Sequence, residues 1–585
     1  MLIPLLLLSL GGRSLARLYE SVADLPDLEY DFLVVGGGAA GNVVANRLTE
    51  NPKFSVLLLE AGTSNLEISI VPLLVENLLS GPNQFEWNYS TTAQTGLDNR
   101  TITYPRARIL GGCTAHNGMV YTRGSAEDYD RWASITGDSG WSWDGVLPYF
   151  FKNERWVPPA GNHDTRGQFN PAVHSTHGIN FVSLSGSRWP VFENQVIQTT
   201  RELPEEFPFN LDFNSGEPLG VGWFQSTIGG GERSSSARTY LGPEFIQRPN
   251  LHVLLDAQVS KLVGPKTKSG IVSFEGVEFK QGGTLFNASA KNEIILSAGP
   301  IGTPTILMNS GIGDKHKLSA LDIPTVLDLP SVGQNATDHP MIFASWSVNS
   351  TQTIDNIQDN TTLFNEAFAE WNKSHTGPFT NVPVTHILFT RVDANSTVFE
   401  NVTDPAAGPE TPHIEIYLST GNGPLPEHFI TFGLLMLTPT SRGSITLASN
   451  NPFDPPLVDP GLLASPVDLA LSREAVAKAY RFVQAPVWKD YIIAPTTDLG
   501  TLTTDELDVF IQTTASSSGH IVGTAAMSAR DASYGVVNPD LLVKGASGLR
   551  IIDASIMPMI PTAHTQAGTY AIAERGADLV KGRWV

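Results

Sequence analysis

An α/β fold built around a dinucleotide-binding sheet is predicted by three adjacent features of this 585-residue chain. A short β-rich run, DFLVV, leads into a glycine series at Gly36, Gly38 and Gly41. The segment AGNVVANRLTE that follows has helical spacing, and a second apolar strand, FSVLLLEAG, carries Glu60 about twenty residues beyond the last glycine. Strand, glycine turn, helix, strand and acid in this order suit a pyrophosphate. Glycine lets the backbone turn tightly and approach the phosphates, the helix N-terminus offers unpaired N–H donors, and Glu60 can accept from ribose hydroxyls. FAD and NAD share this arrangement, so the motif alone does not choose between them.

The remaining chain is too long for one ordinary hydrophobic core, which predicts two intertwined lobes. Hydrophobic residues make up 41% and charged residues 16%, the composition of a globular protein rather than a disordered or multi-span one. The net charge of -21 argues against nucleic acid or an anionic membrane surface as partner, because both would be repelled. A small neutral ligand would be indifferent to it.

The N-terminus, MLIPLLLLSLGGRSLARL, is an apolar run too short to span a bilayer and followed by small residues, which reads as a signal peptide over residues 1–16. Nine Asn-x-Ser/Thr sequons, at Asn88, Asn99, Asn287, Asn335, Asn349, Asn360, Asn372, Asn395 and Asn401, point the same way. The expectation is a secreted, extracellular, N-glycosylated monomer. Cys113 is the single cysteine, so an intramolecular disulfide is excluded and stability must come from packing and bound cofactor. It has no flanking base or partner in the sequence, which speaks against a redox role.

Four separated motifs carry a family resemblance: VVGGGAAGNVVANRL, YPRARILGGCTAHNGMVYTRGSAEDYDRW, ILSAGPIGTPTILMNSGIG from Ile295, and GLRIIDASIMPMIPTAHTQAGTYAIAE near the C-terminus. Over nearly its whole length the chain resembles the glucose-methanol-choline (GMC) oxidoreductases, nearest to fungal pyranose dehydrogenases and aryl-alcohol oxidases. The resemblance implies a discontinuous Rossmann-like FAD-binding domain from residues 29–165, 233–340 and 520–585. A second, sheet-plus-helices (α+β) substrate domain would come from 166–232 and 341–519. It further implies FAD contacts at Gly36, Gly38, Gly41, Glu60, Gly112, His116, Asn117, Gly118, Val120, Val259 and Asp553. Val259 falls within LHVLLDAQVSKLV, which alternates like a strand from Leu251 to Val263.

By the same resemblance, His520 and His564 face the flavin N5 from the substrate side. The chemistry asks for such a pair, because an alcohol releases hydride readily only if a base takes its O–H proton. Neutral imidazole, with an unperturbed pKa of about 6.5, suits that task. His520 is assigned as the base and His564 as the group that orients the alcohol oxygen. His116 matches the histidine that in pyranose dehydrogenases and choline oxidase is joined covalently to the flavin 8α carbon, so a tethered FAD is expected, with Cys113 a small buried neighbour.

Aryl-alcohol oxidases carry an aromatic residue immediately before the base histidine and another in the flavin loop. Here those positions are Gly519 and Gly118, which implies a more open pocket and favours a sugar. A quinone or radical acceptor is the first expectation, and an aryl-alcohol oxidase that reduces O2 is the alternative. A hydroxynitrile lyase on the same fold, which keeps both histidines without net redox chemistry, is the remote one.

Overall fold

The computed structural model describes residues 18–65, 71–72, 83–393, 395–421, 423 and 427–585. The signal-peptide expectation lies outside the described residues. Two large sheets organise the chain. The first has eight strands, in the order Leu18–Tyr19, Leu251–Leu254, Val56–Leu59, Glu29–Val35, Thr284–Leu296, Gly276–Gln281 and Gln258–Val263, with Leu549–Ile551 also paired to Thr284–Leu296. The strands from 18–19 to 284–296 run parallel, as does 549–551, while the two that follow Thr284–Leu296 are antiparallel.

The central strands are apolar on both faces, as a sheet covered by helices requires: Phe32, Leu33, Val34, Leu57 and Leu58 are all fully buried. The helices Ala39–Leu48, Trp143–Asn153 and Thr565–Trp584 pack together on it. They are stitched by the buried Glu574 carboxylate, which accepts from Arg47 Nε at 2.7 Å and Tyr240 Oη at 2.6 Å. A buried carboxylate held this way is stable only because its partners are buried with it.

One expectation is corrected here. LHVLLDAQVSKLV is two strands, Leu251–Leu254 and Gln258–Val263. Asp256 sits at φ +52° and turns the chain between them, and Ala257 N–H donates to the Glu60 carbonyl at 2.8 Å. Alternation of side chains continues across such a turn, so the pattern did not reveal the break.

The second sheet has seven strands and is antiparallel throughout, in the order Ile492–Pro495, Pro340–Val348, Phe429–Met436, Ile414–Thr420, Val384–Thr390 and Gly220–Trp223, with Ser516–Ser517 on Pro340–Val348. Period-two alternation sorts its faces. Ile414, Ile416, Leu418, Ile430, Phe432, Leu434 and Met436 pack with Leu471, Val476 and Phe482 of the helix Pro466–Val483. Glu415 and Tyr417 therefore point to the other face. Among the described residues no helix is long and apolar enough to cross a membrane, and no cluster of side chains suits a metal ion.

Eight of the nine sequon asparagines are exposed, but Asn335 is half-buried. Its Oδ1 accepts from Arg442 Nε at 3.0 Å, so it makes a poor glycan acceptor in the folded chain.

Candidate active site

The glycine turn is built by steric necessity. Gly36 lies at φ +99°, and a Cβ there would meet the Ser297 carbonyl oxygen at 2.5 Å; a Cβ on Gly41 would collide with the carbonyl oxygen of Gly36. Gly38 differs. It caps the helix Ala39–Leu48 without a side-chain hydrogen bond, and a Cβ there would meet nothing nearer than Gly112 Cα, at 3.8 Å. Gly112, at φ +52°, brings the second motif loop directly against it. Glu60 accepts from Gly37 N–H at 2.7 Å and Gly62 N–H at 2.8 Å. Burial pushes its carboxyl up to about 7 against those two bonds.

Asp553 holds the next turn: it accepts from Gly299 N–H at 2.9 Å, Thr303 Oγ1 at 2.6 Å and Ser555 N–H at 2.8 Å. Burial raises its pKa. Val259 is buried two residues beyond the Ala257 that bonds to Glu60, at the same end of the sheet.

The flavin-type loop is anchored from three sides. Asn117 accepts from Met119 N–H at 3.0 Å and from Arg233 Nη1 at 3.0 Å, and its Nδ2 donates to Gln566 in the first turn of the C-terminal helix. Val120 bridges to Ser226. Gly118 is exposed, with nothing within 4 Å of where a Cβ would lie. His116 is buried, its Nδ1 2.8 Å from Oε1 of the buried Glu86. Burial opposes its protonation, yet Cys113 and Glu86 raise it to about 9. The thiol does have partners, from its own loop: burial would raise it, but His116 and the charge of Arg106 bring Cys113 down to about 6.

These residues fit a dinucleotide. The Gly38–Gly112 approach leaves room where a side chain would obstruct it. Arg233 is buried with Nε and Nη2 unpartnered, and burial lowers its guanidinium to about 9. A buried cation with two unspent donors fits an anionic or electron-rich group.

The histidine centre is assembled from distant segments. The His520 and His564 rings lie 4.5 Å apart at 74°. His564 immediately precedes the helix Thr565–Trp584; its N–H donates to Thr122 Oγ1 at 2.8 Å, and its Nε2 lies 2.7 Å from Oε1 of the fully buried Glu415. A carboxylate can only accept, so Nε2 carries the proton and Nδ1 is left for a ligand.

His520 ends the turn after Ser516–Ser517. Its N–H donates to Asp338 Oδ1 at 2.8 Å, while Ser517 Oγ and Tyr104 Oη both donate to Asp338 Oδ2. Arg106 Nη2 donates to the Gly519 carbonyl at 2.7 Å, and its Nη1 lies 4.0 Å from Cys113 Sγ, which joins this turn to the flavin-type loop. Burial, reinforced by the neighbouring His564 and the charge of Arg106, holds His520 well below the usual histidine range. His520 is thus a neutral imidazole at working pH, free to accept a proton.

Every residue proposed from sequence for the centre falls into one of these three groups. Sequence reading missed Glu415, His339, Asp338, Glu86, Arg106 and Arg233. None of them left a usable signal: even Glu415 shares the polar alternation of IEIYLST with Tyr417 and Ser419, which reads as an ordinary exposed strand face.

The chain matches GMC oxidoreductase over residues 30–341 with the family's N-terminal part and over 439–573 with its C-terminal part. The dehydrogenase eriK of Hericium erinaceus is 41% identical, covering 98% of this chain and 98% of its own. A pyranose dehydrogenase of Agaricus campestris is 40% identical, covering 95% and 94%. Among solved structures, a formate oxidase of Aspergillus oryzae superposes with a TM-score of 0.86 at 26% identity, covering 95% of this chain and 98% of the other. The nucleotide cradle, the paired histidines and these matches agree: the chain belongs to the GMC oxidoreductase family and is an FAD-dependent oxidoreductase acting on CH–OH groups of its donors.

Proposed function

We propose that the chain is a secreted, pyranose-dehydrogenase-like enzyme that oxidises a sugar hydroxyl and passes the electrons to a quinone-type acceptor. The observation that carries this reading is the His520–His564 pair, each with its own buried partner, beside two positions without side chains. FAD, when bound, supplies the hydride acceptor. His520 takes the hydroxyl proton, and its lowered pKa keeps it unprotonated for that purpose. His564, held on Glu415 through Nε2, orients the alcohol oxygen. The N-terminus of the 20-residue helix that His564 precedes favours negative charge developing on that oxygen.

Gly36, Gly38, Gly41, Glu60, Gly112, Val259 and Asp553 would hold the nucleotide end. Asn117, Gly118, Val120 and Arg233 would line the ring end. His116 would carry the covalent bond to FAD; its support is a buried ring beside the loop glycines, with Nδ1 2.8 Å from Glu86 Oε1. Yellow colour that stays in the pellet on acid precipitation is the expected result, and colour in the supernatant excludes the tether. The FAD-binding and substrate domains would divide the chain as the sequence suggests, one around each large sheet. Secretion is supported by the eight exposed sequon asparagines. A mass shift on glycosidase treatment of the secreted protein tests it.

Two positions without side chains support the sugar. Gly118 faces no neighbour, and a Cβ on Gly519, at φ +73°, would meet only Arg106 Nη1 at 3.4 Å. One observation favours an aryl alcohol acting as second substrate class. Phe343 and Tyr417, on the same sheet face as Glu415, stand 6.4 Å apart at 73°, and Phe343 is 41% exposed. Gly433 between them makes the arrangement possible, since a Cβ there would collide with the Tyr417 ring. Anaerobic mixing with D-glucose and then with 4-methoxybenzyl alcohol, followed by flavin absorbance, separates the readings. Bleaching by glucose, reversed fast by benzoquinone and slowly by air, is the expected result. Bleaching by the aryl alcohol alone overturns the sugar reading, and bleaching by neither overturns both of these donors.

A further inference from the structure

A third histidine stands behind His520. His339 is fully buried, with Nδ1 3.0 Å from His520 Nδ1 and Nε2 3.1 Å from the Leu437 carbonyl oxygen. Its ring stands at 90° to that of His520, with centroids 5.2 Å apart. The dipeptide Asp338–His339 also grips the main chain of the same turn: Ser518 N–H donates to the His339 carbonyl at 3.1 Å and His520 N–H donates to Asp338 at 2.8 Å.

The order of donors in this chain of contacts is forced. A carbonyl oxygen can only accept, so His339 Nε2 must carry a proton. Burial, with the nearby charge of His564 and against the Leu437 bond, brings His339 down to about 3, so its ring is neutral and Nδ1 is a bare acceptor. Two bare nitrogens cannot share a 3.0 Å contact favourably, so the proton between them belongs to His520 Nδ1. A neutral His520 protonated at Nδ1 is bare at Nε2.

We propose that His339 is a positioning residue that selects the Nδ1–H tautomer of His520, so that Nε2 is the nitrogen offered to the substrate hydroxyl. This rests on His520 being the base. The selection is the counterpart of a carboxylate that fixes the tautomer of a catalytic histidine, with the difference that a neutral imidazole leaves no charge beside the base. A carboxylate in its place would raise the His520 pKa and hold the ring protonated further up the pH scale. The charged and titratable groups around the pair are His564 from the C-terminal helix end, Arg106 and Tyr104 from the segment before the flavin loop, and Asp338 beside His339 itself.

Histidine-15N-labelled holoenzyme tests the assignment directly. The His520 signals are identified by their loss in His520→Ala, and a protonated, pyrrole-type Nδ1 with a pyridine-type Nε2 is expected. The reverse pattern overturns the proposal. Kinetics give an independent check through two variants. His339→Gln retains an oxygen that can accept from His520 Nδ1, while His339→Leu retains none. In stopped-flow flavin reduction the Leu variant is expected to lose roughly tenfold or more in limiting rate, since the wrong tautomer cannot act as base. Substrate affinity should change little, and Gln should recover most of the loss. Equal limiting rates in the two variants overturn the proposal, because packing rather than proton placement would then explain His339. Failure of His520→Ala to slow flavin reduction would instead overturn the base assignment and leave the tautomer result standing.

Discussion

The glycine turn and the histidine centre solve opposite problems. Residues 36–60 form a continuous stretch whose shape follows from local sterics: a glycine where φ is positive, a glycine where the helix meets the preceding carbonyl, and an acid that ties back to Gly37. The histidine centre draws on Tyr104, Asp338, His339, Glu415, Leu437, His520 and His564, and no two of its side-chain contacts are local in sequence. A cradle for a diphosphate needs backbone, which short segments shape by themselves. A base with a controlled proton needs side chains from several directions in a dry place, which only folding provides.

Substitutions can sharpen that contrast. The largest effect is expected at the turn. Gly41→Ala puts a Cβ into the Gly36 carbonyl, so purified protein should lose FAD absorbance nearly completely; a fully yellow variant would show that the turn can relax. Next comes His520→Ala, expected to keep its flavin colour and to slow flavin reduction by about 10²- to 10⁴-fold, the usual range for removing a general base. Near-normal turnover would displace His520 from that role.

Glu415→Leu should cost less, because it strands the Nε2–H of His564 without removing the ring. A charge-assisted hydrogen bond is worth about 1.5–3 kcal/mol, hence roughly a 10- to 100-fold fall in kcat/KM. A change in KM alone would mean that Glu415 serves binding and not orientation.

The smallest effect is on pH dependence. A base whose pKa is lowered stays unprotonated to lower pH, so kcat/KM should remain flat as the pH falls through about 6.5 and decline only below it. A decline beginning above 6.5 would mean that His520 is not desolvated in the working enzyme. The same sign governs stability. His339, with its pKa lowered to about 3, binds fewer protons when folded than when unfolded between about pH 3 and 6.5, so its contribution is complete above that window and is lost as the pH falls through it. His339→Gln should flatten this part of the curve of melting temperature against pH.

Each sheet also teaches how far pattern reading reaches. In the first, DFLVV and VLLL are so uniformly apolar that a covered parallel sheet was legible from composition. The break at Asp256 was not, because a left-handed residue between two alternating runs leaves the alternation intact. In the second, nothing in the sequence showed which strand face would meet the site. Cys113 shows the same limit more sharply. Its partners Arg106 and His116 are only seven and three positions away, yet only the folded loop turns them onto the thiol and lowers its pKa to about 6.

The sequence by itself determined the nucleotide turn and the lobed α/β architecture, because short motifs carry backbone geometry within a few positions; the two central histidines were pointed to only by the family resemblance. The tertiary structure alone decided which atom of each histidine faces a partner. Glu415 claims one nitrogen of His564 and His339 claims one nitrogen of His520, and both claims depend on the side-chain direction of residues more than 140 positions away. Proton placement is a property of contacts, and these contacts exist only after distant strands have paired and the C-terminal segment has docked on them.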